Sequence, residues 1–88
     1  MKERDSLLKF PCDFPIKAIR RSDSGFEAKA LTIMRSHLPD FDATNMRSAV
    51  SRKGNYLSVT FDLRVTGKEQ LDELYRALTA CEEILMVI

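Results

Sequence analysis

The stretch "SRKGNYLSVT" occupies residues 51–60, and its reading decides the fold. A basic dipeptide, Arg52-Lys53, runs into Gly54-Asn55 and then into strict alternation. From Tyr56 to Val65, the residues Leu57, Val59, Phe61, Leu63 and Val65 fall on one side. Tyr56, Ser58, Thr60, Asp62 and Arg64 fall on the other. Successive side chains of a strand point to opposite faces, so this segment predicts a strand with one buried and one wet face. Upstream, residues 45–53 alternate more weakly, with Met46, Ser48 and Val50 against Arg47, Ala49 and Ser51. A two-residue Gly54-Asn55 loop would join the two as a hairpin, since glycine takes a positive φ at no steric cost. Counting outward from Lys53 opposite Tyr56 pairs Val50 with Val59, Ser48 with Phe61 and Met46 with Leu63 on the core face. The other face pairs Ser51 with Ser58, Ala49 with Thr60, and Arg47 with Asp62 as a cross-strand ion pair.

The flanking segments complete the pattern. "FPIKAI" from Phe14 alternates, with Phe14, Ile16 and Ala18 opposite Lys17, and reads as a first strand. Ser24 and Glu27 have the spacing of a capping box, and Ala30, Leu31, Met34 and Leu38 recur at helical intervals until Pro39. This predicts a first helix over residues 25–37. Thr66 and Glu69 make a second capping box before the stripe Leu71, Leu74, Tyr75 and Leu78. The apolar "ILMVI" at residues 84–88 reads as a last strand. The order is βαββαβ: an α+β, ferredoxin-like sandwich with a four-stranded antiparallel sheet and two helices on one face. Right-handed crossovers put strands one and three in the centre and strands two and four at the edges. Residues 1–13 form a lead-in, with Leu7, Leu8 and Phe10 tucked against a single domain over residues 14–88.

Composition limits what such a domain can do. Eighty-eight residues make one domain with a modest core. Fourteen Lys and Arg against thirteen Asp and Glu leave a formal charge of +1, too small to imply non-specific attraction to nucleic acid. Cys12 and Cys81 form no C-x-x-C pair and no disulfide framework, so free thiols in a cytoplasmic protein are expected. The first residues contain no apolar run long enough for a signal peptide or a membrane span, and no membrane partner is expected. No nucleophile elbow, Walker loop or dinucleotide fingerprint is present. His37, the single histidine, sits in the last turn of the first helix without ligand-spaced neighbours. Asp40, Asp42, Glu82 and Glu83 fall in turns and are expected to be solvated. No cofactor or metal is predicted, and the enzyme class is set aside.

"LLKFPCDFPIKAI" (residues 7–19), "KGNY" followed by Ser58 and Val59, and the terminal "ILMVI" together resemble the YbeD-like family of small bacterial proteins of unknown function. The resemblance covers essentially the whole chain. It implies a ferredoxin-like fold similar to ACT regulatory domains and no particular reaction. ACT-like domains often bind small ligands at the first strand-to-helix loop, occupied here by "DSGF" at residues 23–26. On that likeness Arg20, Arg21, Asp23 and Gly25 are candidate anion ligands, with the N–H groups of the helix start. Ser24 replaces the customary proline, and an ordinary solvated basic pair before a helix cap accounts for the same residues without a ligand.

The open sheet face offers a second candidate. Lys17, Arg47, Lys53, Tyr56 and Arg64 project from it, a mildly basic set suited to an acidic partner surface. The expectation is a small non-catalytic regulatory or protein-interaction module, with an unknown protein partner or a small anionic metabolite. Self-association as a homodimer stays open. The alternative is nucleic-acid binding through the same basic face, as on an RNA-recognition scaffold. It is disfavoured because stacking needs aromatic residues on the open face and only Tyr56 qualifies. An acylphosphatase-like use of Arg20 or Arg21 would lack a group positioned to activate water.

Overall fold

A computed structural model describes residues 9–22 and 25–88. Leu7, Leu8, Asp23 and Ser24, to which the sequence assigned roles, lie outside the described residues. The elements are β1 (Cys12–Arg21), α1 (Phe26–His37), a short 3-10 turn (Ala43–Asn45), β2 (Met46–Val50), β3 (Tyr56–Val65), α2 (Lys68–Thr79) and β4 (Met86–Val87). The sheet order is β2-β3-β1-β4 and every pairing is antiparallel, as the βαββαβ reading requires.

The first strand begins two residues before Phe14, because Cys12 pairs with Val65 and Asp13 with Arg64. The strand absorbs Pro15 for a simple reason. Lys17, two residues on, donates its N–H to Ile88 on the β4 side, so Pro15's missing N–H would face that side too, beyond the end of β4. A proline is tolerated where the ladder has no partner to offer. At its other end β1 runs through Arg20 and Arg21, which pair with Leu57 and Tyr56.

Both helices lie on one face, and the core fills the space between. Phe14, Ile16 and Ala18 of β1 and Leu57, Val59, Phe61, Leu63 and Val65 of β3 are buried there. Phe26, Ala30 and Met34 of α1 and Leu71, Leu74 and Leu78 of α2 close over them. The anticipated α1 stripe is thus rotated toward Phe26, with Leu31 and Leu38 at the margin. Phe41, in the turn after α1, meets Phe61 edge-on with ring centres 6.1 Å apart.

The hairpin corrects the expected register. Its loop has four residues, 52–55, not two. Ser51 donates its N–H to Tyr56 O at 2.8 Å, and Gly54 donates to Ser51 O at 2.8 Å, closing a turn inside the loop. Gly54 does take the positive φ, 79°. The ladder therefore runs Val50 to Leu57, Ser48 to Val59 and Met46 to Phe61, two residues away from the predicted pairing. A slip of two preserves which side chains share a face, so alternation could not have discriminated the registers. Local hydrogen bonds select the longer loop: Ser51 Oγ accepts from Tyr56 N at 3.1 Å, and Ser22 donates from N to Asn55 O and from Oγ to Gly54 O. Arg47 now stands opposite Thr60 and reaches Asp62 diagonally.

The second helix start is also displaced by one residue. Gly67 is the N-cap, and Gln70 rather than Glu69 reaches back to the N–H and hydroxyl of Thr66. Gln70 ties the residue before the N-cap to the first turn, without the reciprocal bond of a capping box.

The open sheet face as a candidate interaction site

The face away from the helices is built from alternate residues of four strands. Reading across it, Ala49, Ser58, Ile19 and Met86 form one row, since Ala49 pairs with Ser58, Ser58 with Ile19, and Ile19 with Met86. The next row is Arg47, Thr60 and Lys17, completed by Ile88, which exchanges backbone hydrogen bonds with Lys17. On the other side of the Ile19 row, Tyr56 pairs with Arg21.

Two halves emerge. In one, near the start of β1 and the end of β3, charges are matched. Arg47 grips Asp62 through two bonds of 3.0 Å, and Arg64 meets Asp13 at 3.3 Å. In the other half the side chains are largely apolar. Met86 is 55% exposed, Ile88 53% and Tyr56 46%, with Ile19 half-buried among them. Lys17, Ile19, Ala49, Val50, Tyr56 and Ser58 line an open depression of about 420 Å³. Lys17 and Arg21 flank Ile19 on the same strand face. Among the described residues neither cation is ion-paired with a carboxylate.

The predicted partner-binding residues therefore separate. Lys17 and Tyr56 belong to the apolar half, Arg47 and Arg64 are engaged in the charged half, and Lys53 stands exposed in the hairpin loop. The predicted anion ligands separate as well. Since β1 continues to Arg21, consecutive residues face opposite sides. Arg20 turns under the helices, where its guanidinium lies 5.3 Å from the centre of the Phe26 ring and bonds Glu83 at 2.6 Å. Arg21 turns to the open face, and Gly25 caps α1. The two arginines therefore do not converge at the helix start, and Asp23 lies outside the described residues.

Glu83 is not simply solvated. It bridges Arg20 and Lys29, joining β1, α1 and the turn before β4. The hydrogen bond and charge of Glu83 hold the Lys29 ammonium above its ordinary pKa of 10.5. Asp42, by contrast, caps the 3-10 turn. Its carboxylate accepts from Thr44 N at 2.9 Å, which holds its pKa below the ordinary 3.8.

Sequence reasoning missed Ile19, Met86 and Ile88. Ile19 was legible from parity, being two residues from Lys17. The faces of Met86 and Ile88 were not, because "ILMVI" is apolar throughout and carries no alternation. Cys12 and Cys81 are free thiols. Among the described residues no cluster of three or more His, Cys, Asp or Glu could hold a metal ion, and no helix is long and apolar enough to cross a membrane.

A family model described as a protein of unknown function (DUF493) matches residues 5–88. The chain belongs to this family. A UPF0250 protein of Nitrosomonas europaea is 46% identical over 74 residues, covering 84% of this chain and 85% of the relative. A UPF0250 protein of Neisseria meningitidis serogroup A is 40% identical over 87 residues, covering 99% and 96%. These relatives bear out the YbeD-like resemblance and are bacterial. Among solved structures, protein HP0495 from H. pylori superposes with a TM-score of 0.72 at 10% identity, covering 92% of this chain and 85% of that one. The ACT domain from GTP pyrophosphokinase of Chlorobium tepidum superposes with a TM-score of 0.58 at 15% identity, covering 86% and 84%. At these identities the DUF493 chain shares the fold with both.

Proposed function

We propose that this DUF493 chain is a non-catalytic regulatory module that docks a protein surface on the apolar half of its open sheet face. One observation carries the reading: a one-sided sheet normally presents polar side chains to water, yet half of this face exposes Met86, Ile88 and Tyr56 around a half-buried Ile19. The core does not need these residues, which lie on the far side of the sheet. Lys17 and Arg21 bias the choice of partner toward an acidic surface or a small anion. The fold, shared with the ACT domain from a GTP pyrophosphokinase, agrees with a regulatory role. The free thiols of Cys12 and Cys81 suit a reducing cytoplasm.

The test is a photo-crosslinking amino acid placed at Ser58 in bacterial cells, with the same group at Glu73 of α2 as the control. Discrete higher-mass adducts from position 58 and none from position 73 are expected. No adduct from position 58, or equal adducts from both, would contradict the reading. Turnover of a phosphoester or acyl substrate that a single substitution abolishes would overturn its non-catalytic part.

A further inference from the structure

Resting on that docking reading, we infer that the occupant of the apolar half is an amphipathic helix with acidic residues on both flanks of its apolar stripe. The first argument is backbone satisfaction. The depression is floored by β3 and β1, whose N–H and C=O groups are committed to ladders on the β2-β3-β1-β4 sheet, and reaches Ala49 and Val50 of the edge strand β2 on one side. A segment seated on a sheet face gains no backbone hydrogen bonds from it, unlike one added at an edge. It must satisfy its own backbone while excluding water from the contact, which a helix does internally.

The second argument is size. The row Ala49, Ser58, Ile19 and Met86 crosses four strands. A helix laid along this row has a floor of roughly 14 Å, three strand spacings, which is the length of about nine helical residues. The small side chains Ala49 and Ser58 leave the floor low on one side, while Tyr56 and Ile88 rise beside the row. An apolar stripe recurring at i, i+3, i+4 and i+7 fits such a floor.

The third argument is charge complementarity. On β1, Lys17, Ile19 and Arg21 present a cation on each side of an isoleucine, and the two cations are about 13 Å apart along the strand. Carboxylates on both flanks of the helix's apolar stripe would meet them. The charged half of the face offers no such invitation, since Asp62 and Asp13 already occupy Arg47 and Arg64. A basic helix would leave Lys17 and Arg21 facing like charge.

The experiment selects binders from phage-displayed tiles of bacterial proteomes, using the intact chain as bait. The recovered tiles are then synthesised and titrated against the wild type and the doubly reversed variant Lys17→Glu with Arg21→Glu. A thermal melt establishes that the variant is folded. The inference predicts tiles of net negative charge with helical apolar periodicity. They should gain helical circular dichroism on binding, shift the amides of Ile19, Tyr56, Ser58 and Met86, and bind the reversed variant at least about tenfold more weakly. Basic or extended tiles, acidic tiles indifferent to the reversal, or a selection without enrichment would each overturn it. So would binding of an oligo-uridine probe to the same amides, or light scattering showing self-association that Ile19→Asp abolishes. If adducts form at position 58 in cells while the selection fails, the docking face stands and only the helical, acidic occupant falls.

Discussion

The two faces of this sheet obey different rules. Beneath the helices, β1 and β3 place eight apolar side chains, none more than 5% exposed, against the stripes of α1 and α2. On the outer face the same two strands carry matched charges at one end and, together with Met86 and Ile88, largely apolar residues at the other. Burial accounts for the inner face and charge pairing for half of the outer one. The remaining half, around Ile19, Met86, Ile88 and Tyr56, has no structural partner among the described residues, and that is why function is sought there. What distinguishes a site from a surface here is an unexplained residue type in a well-explained place.

The sharpest way to break this contrast is to compare adjacent residues of β3. Phe61→Ala should cost on the order of 3–5 kcal/mol in urea denaturation, because the ring is fully enclosed and meets Phe41. Thr60→Ala, on the outer face, should cost less than about 1 kcal/mol. Comparable losses would mean that the two faces are not the energetic opposites described.

A second comparison uses the neighbouring arginines. The Arg20 side chain is 12% exposed, packed on Phe26 and bonded to Glu83. Arg20→Ala should cost about 1.5–3 kcal/mol, the range for a hydrogen bond to a charged group. Arg21→Ala should stay within about 0.5 kcal/mol while weakening partner binding. Arg21→Ala costing as much as Arg20→Ala would deny the division of the pair between faces.

These two residues also show how far the sequence could be read. Alternation in residues 56–65 placed every side chain of β3 on its correct face, and the helical stripes placed Ala30, Met34, Leu71, Leu74 and Leu78 in the core but missed Phe26. Parity is insensitive to a slip of two residues, so the same alternation could not set the hairpin register. That was settled by Ser51 and Ser22 hydroxyls reaching the backbone, which no periodicity reports. Ending the first strand at Ile19 left Arg20 and Arg21 as a loop pair. Extending it by two residues separates them. Glu83 looked solvated because its partners, Arg20 and Lys29, are distant in the chain and meet it only after folding.

The hairpin gives the next smaller effect. Gly54 has φ 79° with open space around the position of a Cβ, so steric crowding is absent and only backbone strain opposes substitution. Gly54→Val should cost about 1–2 kcal/mol, and Gly54→Asn clearly less, in the same denaturation assay. Equal effects of Val and Asn would point to contacts rather than to the backbone. The smallest effect belongs to the charged half of the outer face. The Arg47–Asp62 pair is well exposed, at 65% and 46%, and a double-mutant cycle should give no more than about 1 kcal/mol, falling further as salt is raised. A larger, salt-resistant coupling would make that half structurally essential and blur the distinction between the two halves.

The most direct measurement of the central claim, that the apolar half of the open face is where a partner docks, is methyl NMR in cell extract. Protein labelled at isoleucine and methionine methyls reports Ile19, Met86 and Ile88 on the outer face, Ile16 and Met34 in the core, and Ile33 on α1. Addition of extract from the bacterium that makes the protein should attenuate Ile19, Met86 and Ile88 selectively, and Ile19→Asp should remove the effect at Met86 and Ile88. Uniform attenuation, or attenuation centred on Ile33 with the outer-face methyls unchanged, would contradict it.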